Sequence, residues 1–179
     1  IDMVIDIHTH NAQTQAQTID TVGIHPWQAL SGDLAEVERL APSTEAIGEI
    51  GLDFACDIGC ETQIGIFRAQ LAIAERYEKP VVLHCVRAFE YIMKVLQDYR
   101  LKAVIFHGFI GSTEQAQQAV KQGYYLSFGE RTFRSPKSIE AMKATPTELL
   151  FFETDDSAVS IDQIYSQASD ILGIPQIIL

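Results

Sequence analysis

Seven short apolar runs, separated by stretches of helical period, constrain the fold of this chain more than any other feature. They cover residues 3–7, 20–24, 46–50, 81–84, 103–107, 124–128 and 149–153, and each reads as a buried strand. Between them, Ile64, Phe67, Leu71, Ala74 and Tyr77 form one helical stripe, closed by Pro80. Phe89, Ile92, Met93, Leu96 and Tyr99 form another. Ser112 with Gln115, and Ser160 with Gln163, have the spacing of capping boxes, and Gly123 and Gly173 stand where those helices should stop. Ser135-Pro136 reads as an N-cap with proline in the first helical position, turning Ile139 and Met142 inward. Strand and helix in this alternation build a parallel α/β sheet or barrel, whose strand C-terminal ends share one face.

Polar residues of ligand type stand at or near the ends of these runs. All five histidines do so (His8, His10, His25, His84 and His107), as do Glu49 and Asp155. In a barrel, all seven would converge on one mouth. An open doubly wound sheet is the alternative, but it does not easily bring ligands from six strands to one point. Seven strands are one fewer than a (β/α) barrel of eight needs. The shortfall lies after His10, where the polar stretch from Asn11 to Thr18 has no apolar anchor. The expectation is therefore a distorted TIM barrel with its second strand shortened or irregular. Either that strand bridges the gap with few ladder bonds, or a loop is missing and the chain breaks. The polar composition beside a mouth favours the break.

In His8-Thr9-His10, side chains two apart on a strand point to one face, so both imidazoles can grip one ion. Alone, the pair is equally well explained as surface or core histidines. His84 and His107, each after three apolar residues, move the balance towards ligands. Glu49 lies between Gly48 and Gly51 in an apolar run, where a lone buried carboxylate is costly. Asp155 has an alternative role as an N-cap, which Asp156 or Ser157 could fill instead. Imidazoles with carboxylates suit one or two divalent ions (Zn, Mn or Ni, with Mg at carboxylate-rich positions).

Composition narrows the class. A chain of 179 residues fits one domain, 1–179, with 47% hydrophobic and 21% charged residues as in ordinary globular proteins. No apolar stretch approaches the ~18 residues that span a bilayer. Three cysteines and no secretory pattern at the start, which is Ile1 rather than methionine, lead to the expectation of a reducing cytoplasm. Cys56 and Cys60 lack a second pair to complete a metal knuckle and read as loop thiols, while Cys85 reads as packing. The net charge of −11 repels polyanions, so a nucleic-acid substrate has to be argued against this field. Residues 128–134 mix base and aromatic, as a substrate loop or an ordinary βα loop would. Trp27, beside Pro26, is placed to form one wall of the mouth. No obligate protein partner is evident.

The runs carry a resemblance when read in order. Ile5-Asp6-Ile7-His8-Thr9-His10, Val22-Gly23-Ile24-His25-Pro26-Trp27, Ala46-Ile47-Gly48-Glu49-Ile50-Gly51-Leu52-Asp53, Pro80-Val81-Val82-Leu83-His84-Cys85, Phe106-His107-Gly108-Phe109-Ile110-Gly111-Ser112 and Phe152-Glu153-Thr154-Asp155 are similar to the motifs of the TatD family of metal-dependent hydrolases. The resemblance implies an amidohydrolase-type barrel with His8, His10, Glu49, His84, His107 and Asp155 as metal ligands, Glu49 bridging. It implies catalytic roles for Asp155 and Glu49, with Asp155 as general base, and sets His25 against substrate phosphate. The implied activity is that of a phosphodiesterase or deoxyribonuclease working on DNA ends. Hydrolysis of a small ester, amide or lactone at the same metal site is the alternative, and the acidic charge favours it. A metal-binding scaffold without turnover is a third reading. The chain departs from the family in the short stretch after His10 and in Val86-Arg87, which sets Arg87 one residue further from His84.

Overall fold

The structure, a computed structural model, describes residues 4–179. The chain divides into two compact units: Asp20–Phe106, and the segment up to Ile19 together with His107–Leu179.

The first unit alternates β1 (Thr21–Val22), α1 (Leu34–Leu40), β2 (Ala46–Asp53), α2 (Cys60–Arg76), β3 (Val81–Val86), α3 (Phe89–Leu96) and β4 (Val104–Phe106). Strands β1 to β4 pair in sequence order and in parallel. A sheet covered on both faces needs strands that are apolar throughout. Ile47, Ile50 and Leu52 of β2 and Val81, Val82 and Leu83 of β3 are accordingly all buried. On α2 the expected Phe67, Leu71 and Ala74 face inward, joined by Gln63 and Gln70.

Gln70 explains why β1 is shorter than the apolar run over 20–24. Its Oε1 accepts the Ile24 N–H at 2.6 Å and its Nε2 donates to the Ile24 carbonyl at 3.1 Å. A side-chain amide thus replaces a neighbouring strand at that point, satisfying backbone groups that burial would otherwise leave unpaired. Both β2 and β3 run past the expected ends at 50 and 84, to Asp53 and Val86.

The second unit holds α4 (Thr113–Lys121), β5 (Tyr125–Phe128), α5 (Glu130–Phe133), α6 (Pro136–Lys143), β6 (Leu150–Phe152) and α7 (Ile161–Leu172), with β5 and β6 parallel. The expected capping boxes are present at Ser112/Gln115 and Ser160/Gln163, and Gly173 closes α7 in the left-handed region at φ 66°. Ser135 caps α6 through the Ser138 N–H, but Ser138, Ala141 and Met142 are the buried residues there while Ile139 is half-buried.

The expected strand over 3–7 requires correction, residue 3 lying outside the described residues. Residues 4–10 make isolated bridges instead, Ile5 with Gln17 and Thr9 with Asp155. The buried Asp6 side chain spends both oxygens on Thr154, which fixes the segment by side-chain bonds in place of a ladder. The favoured break after His10 is also corrected. The chain runs on through a turn to Gln17, whose N–H donates to Val4 and whose carbonyl accepts from Asp6, both at 2.9 Å. Only backbone groups are used, so the irregular second strand needs no apolar side chain. Among the described residues no helix is long and apolar enough to cross a membrane.

Candidate metal centre

In the second unit, two backbone bonds hold the His-x-His segment to the end of β6. The His10 N–H donates to the Asp155 carbonyl at 2.9 Å, and the Asp155 N–H donates to the His8 carbonyl at 3.0 Å. This brings the side chains together although no ladder continues through them. His8 Nε2 and His10 Nε2 lie 3.6 and 3.5 Å from the same oxygen, Asp155 Oδ1. Those separations are too long for good hydrogen bonds. They match what ligands at about 2.1 Å from one tetrahedral ion require, since such ligands stand about 3.4 Å apart. Two imidazoles and a carboxylate are also the donor set a borderline divalent ion prefers. The residues therefore fit a metal.

His107 adds a second grouping on the same carboxylate, as His107, Glu153 and Asp155 offer ligand atoms within 4.8 Å of one another. The His107 ring lies 4.3 Å from that of His8. Its Nδ1 faces Glu153 Oε1 at 3.3 Å, and the other Glu153 oxygen accepts from the Ser127 hydroxyl. Burial pushes the Asp155 carboxyl above the usual range, with His107 and His8 working against it. Asp155 holds a backbone φ of 53°, in the left-handed region that aspartate tolerates better than most residues.

The first unit carries its own group on neighbouring strands. Glu49 stands fourth of eight residues in β2 and His84 fourth of six in β3, inside the strands rather than at the expected ends. Glycines make the approach possible. A Cβ on Gly51 would lie 2.0 Å from the His84 carbonyl oxygen, and one on Gly48 2.7 Å from Val82 Cβ. Glu49 Oε1 receives His84 Nδ1 at 3.0 Å and His25 Nε2 at 3.2 Å. His25 Nδ1 accepts the Trp27 backbone N–H at 3.1 Å, so the ring proton belongs on Nε2, the nitrogen that faces Glu49. His25, Glu49 and His84 thus form a third group of metal-holding type.

Three acids matter that the sequence reading did not single out. Asp53 Oδ2 lies 3.2 Å from His84 Nε2 and accepts the Trp27 indole N–H at 2.7 Å. Burial alone would raise the Asp53 carboxyl; the bonds from Trp27, Ala55 and His84 outweigh it and hold the group below the usual range. Glu153 orients His107, as carboxylates commonly orient ligating histidines. Asp6 is raised by burial in spite of its two bonds from Thr154. The only signal for each was a charge inside an apolar motif. Cys56, Cys60 and Cys85 are free thiols, and burial pushes Cys85 up to about 12, which fits packing and not nucleophilic chemistry.

The family model described as TatD related DNase matches residues 4–161. The chain is 36% identical over 144 residues to the uncharacterized metal-dependent hydrolase YabD of Bacillus subtilis, covering 75% of this chain and 56% of that protein. It is 36% identical over 148 residues to a protein of Erwinia tasmaniensis named 3'-5' ssDNA/RNA exonuclease TatD, again covering 75% and 56%. The chain thus matches little more than half the length of these relatives. The crystal structure of YJJV, a TatD homologue from Escherichia coli, superposes with a TM-score of 0.83 at 23% identity, covering 99% of this chain and 82% of that one. The fold is the α/β, distorted TIM-barrel type expected, with an irregular second strand.

Proposed function

This chain belongs to the TatD family, and from that premise we propose that it is a divalent-metal-dependent phosphodiesterase that removes nucleotides from the ends of single-stranded DNA. The observation that carries the reading is the pair of 3.5–3.6 Å separations between the His8 and His10 Nε2 atoms and Asp155 Oδ1, spaced for an ion. His8, His10, Glu49, His84, His107 and Asp155 are the proposed metal-holding residues within one catalytic domain, 1–179. A bound divalent ion of this kind polarises a phosphoryl oxygen and lowers the pKa of a bound water.

The chain's own residues do the rest. Asp155 accepts the proton of the attacking water. His25, its proton fixed on Nε2 by the Trp27 amide, turns that donor from Glu49 Oε1 to a substrate phosphate oxygen. Glu153 and Asp53 hold the His107 and His84 rings in place. Part of the same reading is a cytoplasmic location, supported by the three free thiols.

The test uses the full chain stripped with EDTA and then given Mg or Mn. A labelled single strand with a free 3′ end is assayed beside a panel of small esters, amides and lactones. Metal-dependent shortening of the strand is expected. Turnover of the small substrates with the strand untouched would transfer the site to the alternative chemistry.

A further inference from the structure

Trp27 is the chain's only tryptophan, and it is 62% exposed. A surface tryptophan normally turns its N–H to water and its hydrocarbon inward. Here the arrangement is reversed. The indole Nε1 donates inward to Asp53 Oδ2 at 2.7 Å, and Asp53 is itself buried and braced by the Ala55 N–H at 2.9 Å. The backbone is fixed as well, because Pro26 opens the short 3-10 turn and the Trp27 N–H is bonded to His25 Nδ1. The ring stands edge-on to His25 at 4.8 Å and to His84 at 6.0 Å. A large apolar face is therefore held rigid and open to water beside the His25–Glu49–His84 group.

We propose that this face is the stacking platform for the terminal base of a single-stranded substrate, an inference that rests on the phosphodiesterase reading above. Every base has a π-face, so stacking binds a strand without reading its sequence. It also supplies affinity that an acidic chain cannot draw from phosphate contacts, since a net charge of −11 works against counterion-driven binding. A pre-ordered ring loses little rotamer freedom when a base covers it. The neighbouring His25 Nε2–H would then meet the phosphate of the nucleotide whose base lies on Trp27.

Because Trp27 is the sole tryptophan, its emission reports its own contacts. The full chain with Mg is titrated with a phosphorothioate single strand that resists cleavage, and with the same strand ending in abasic nucleotides. Saturable quenching is expected from the first, little from the second, and little change in the difference as salt rises. In steady-state assays on cleavable strands, Trp27→Ala should raise KM about tenfold with kcat held within about twofold. Trp27→Phe, which keeps a ring but loses the Asp53 bond, should recover most of the loss. Wild type on abasic-ended strands should behave as Trp27→Ala does on ordinary ones, a comparison that needs no variant to fold. Cleavage with no quenching and equal KM for both kinds of end would overturn the platform and leave the nuclease reading standing. A fall in kcat alone, shared by Trp27→Phe, would make Trp27 a prop for His25 and overturn it too. A wild type that cleaves no strand would remove the nuclease reading and this inference with it.

Discussion

Asp155 is bonded to the His8–His10 segment twice through its backbone, by a donated N–H to His8 at 3.0 Å and an accepted N–H from His10 at 2.9 Å. Its carboxylate is therefore separable from its structural role. Asn keeps the backbone bonds and tolerates the left-handed φ of 53° nearly as well as Asp. Asp155→Asn is expected to lower turnover about 100-fold or more while the melting temperature stays within a few degrees. Asp155→Val should lose both, because a β-branched residue resists that φ. Parallel kinetics and thermal melts of the two variants check this; full activity in Asp155→Asn would remove it as base.

His25→Ala tests a different role. The ring gives its Nδ1 to Trp27 and holds Nε2–H against Glu49 Oε1 at 3.2 Å, so the proposed contact with substrate draws that donor away from Glu49. The variant should raise KM about tenfold, the cost of one hydrogen bond to a charged group, with bound metal unchanged by elemental analysis. Loss of metal on His25→Ala would instead make it a ligand alongside Glu49 and His84, the group in which it stands.

The helices were legible in the sequence because their signals are local. Ser112 reaches Gln115 and Ser160 reaches Gln163 within a single turn, and both boxes form as spelled out. His8-Thr9-His10 was legible as a pair for the same reason. What escaped the reading depends on partners distant in the chain. Asp6 is bound by Thr154, Glu153 lies against His107, and Asp53 joins Trp27 to His84. Nothing in the residues around Gln70 marks it as the stand-in for a strand beside Ile24, so the end of β1 could not be placed. Apolar runs show where a strand is buried; side-chain amides and carboxylates decide where its ladder stops.

Two glycines predict opposite outcomes for the same substitution. Gly51 has φ 140°, and its added Cβ would strike the His84 backbone oxygen at 2.0 Å, which no side-chain rotation relieves. Gly51→Ala is expected to cost about 3 kcal/mol or more. For a chain of this size that is about 6–12 °C in melting temperature. Gly65, within α2, has nothing within 4 Å of the added methyl. Gly65→Ala should stabilise by about 0.5–1 kcal/mol through helix propensity. Denaturant titration of both variants decides the matter, and a tolerated Gly51→Ala would show that β2 and β3 do not meet as closely as described.

Tyr165 links α7 to the irregular first segment, its hydroxyl donating to the Ile5 carbonyl at 3.0 Å. Burial, with the Asp6 charge nearby, pushes the phenol up to about 12. An unfolded tyrosine ionises near 10. Between those values the folded chain keeps a proton that the unfolded chain has released, so the unfolded state binds fewer protons and stability falls as pH rises. The Tyr165 contribution is thus complete below about pH 10 and lost towards pH 12. Tyr165→Phe should cost about 1 kcal/mol at neutral pH, the worth of a typical hydrogen bond. It should also flatten the alkaline loss, since phenylalanine cannot ionise. Urea midpoints for both proteins at pH 8 and across the alkaline range test this, and equal alkaline slopes would show that the buried phenol does not couple to folding.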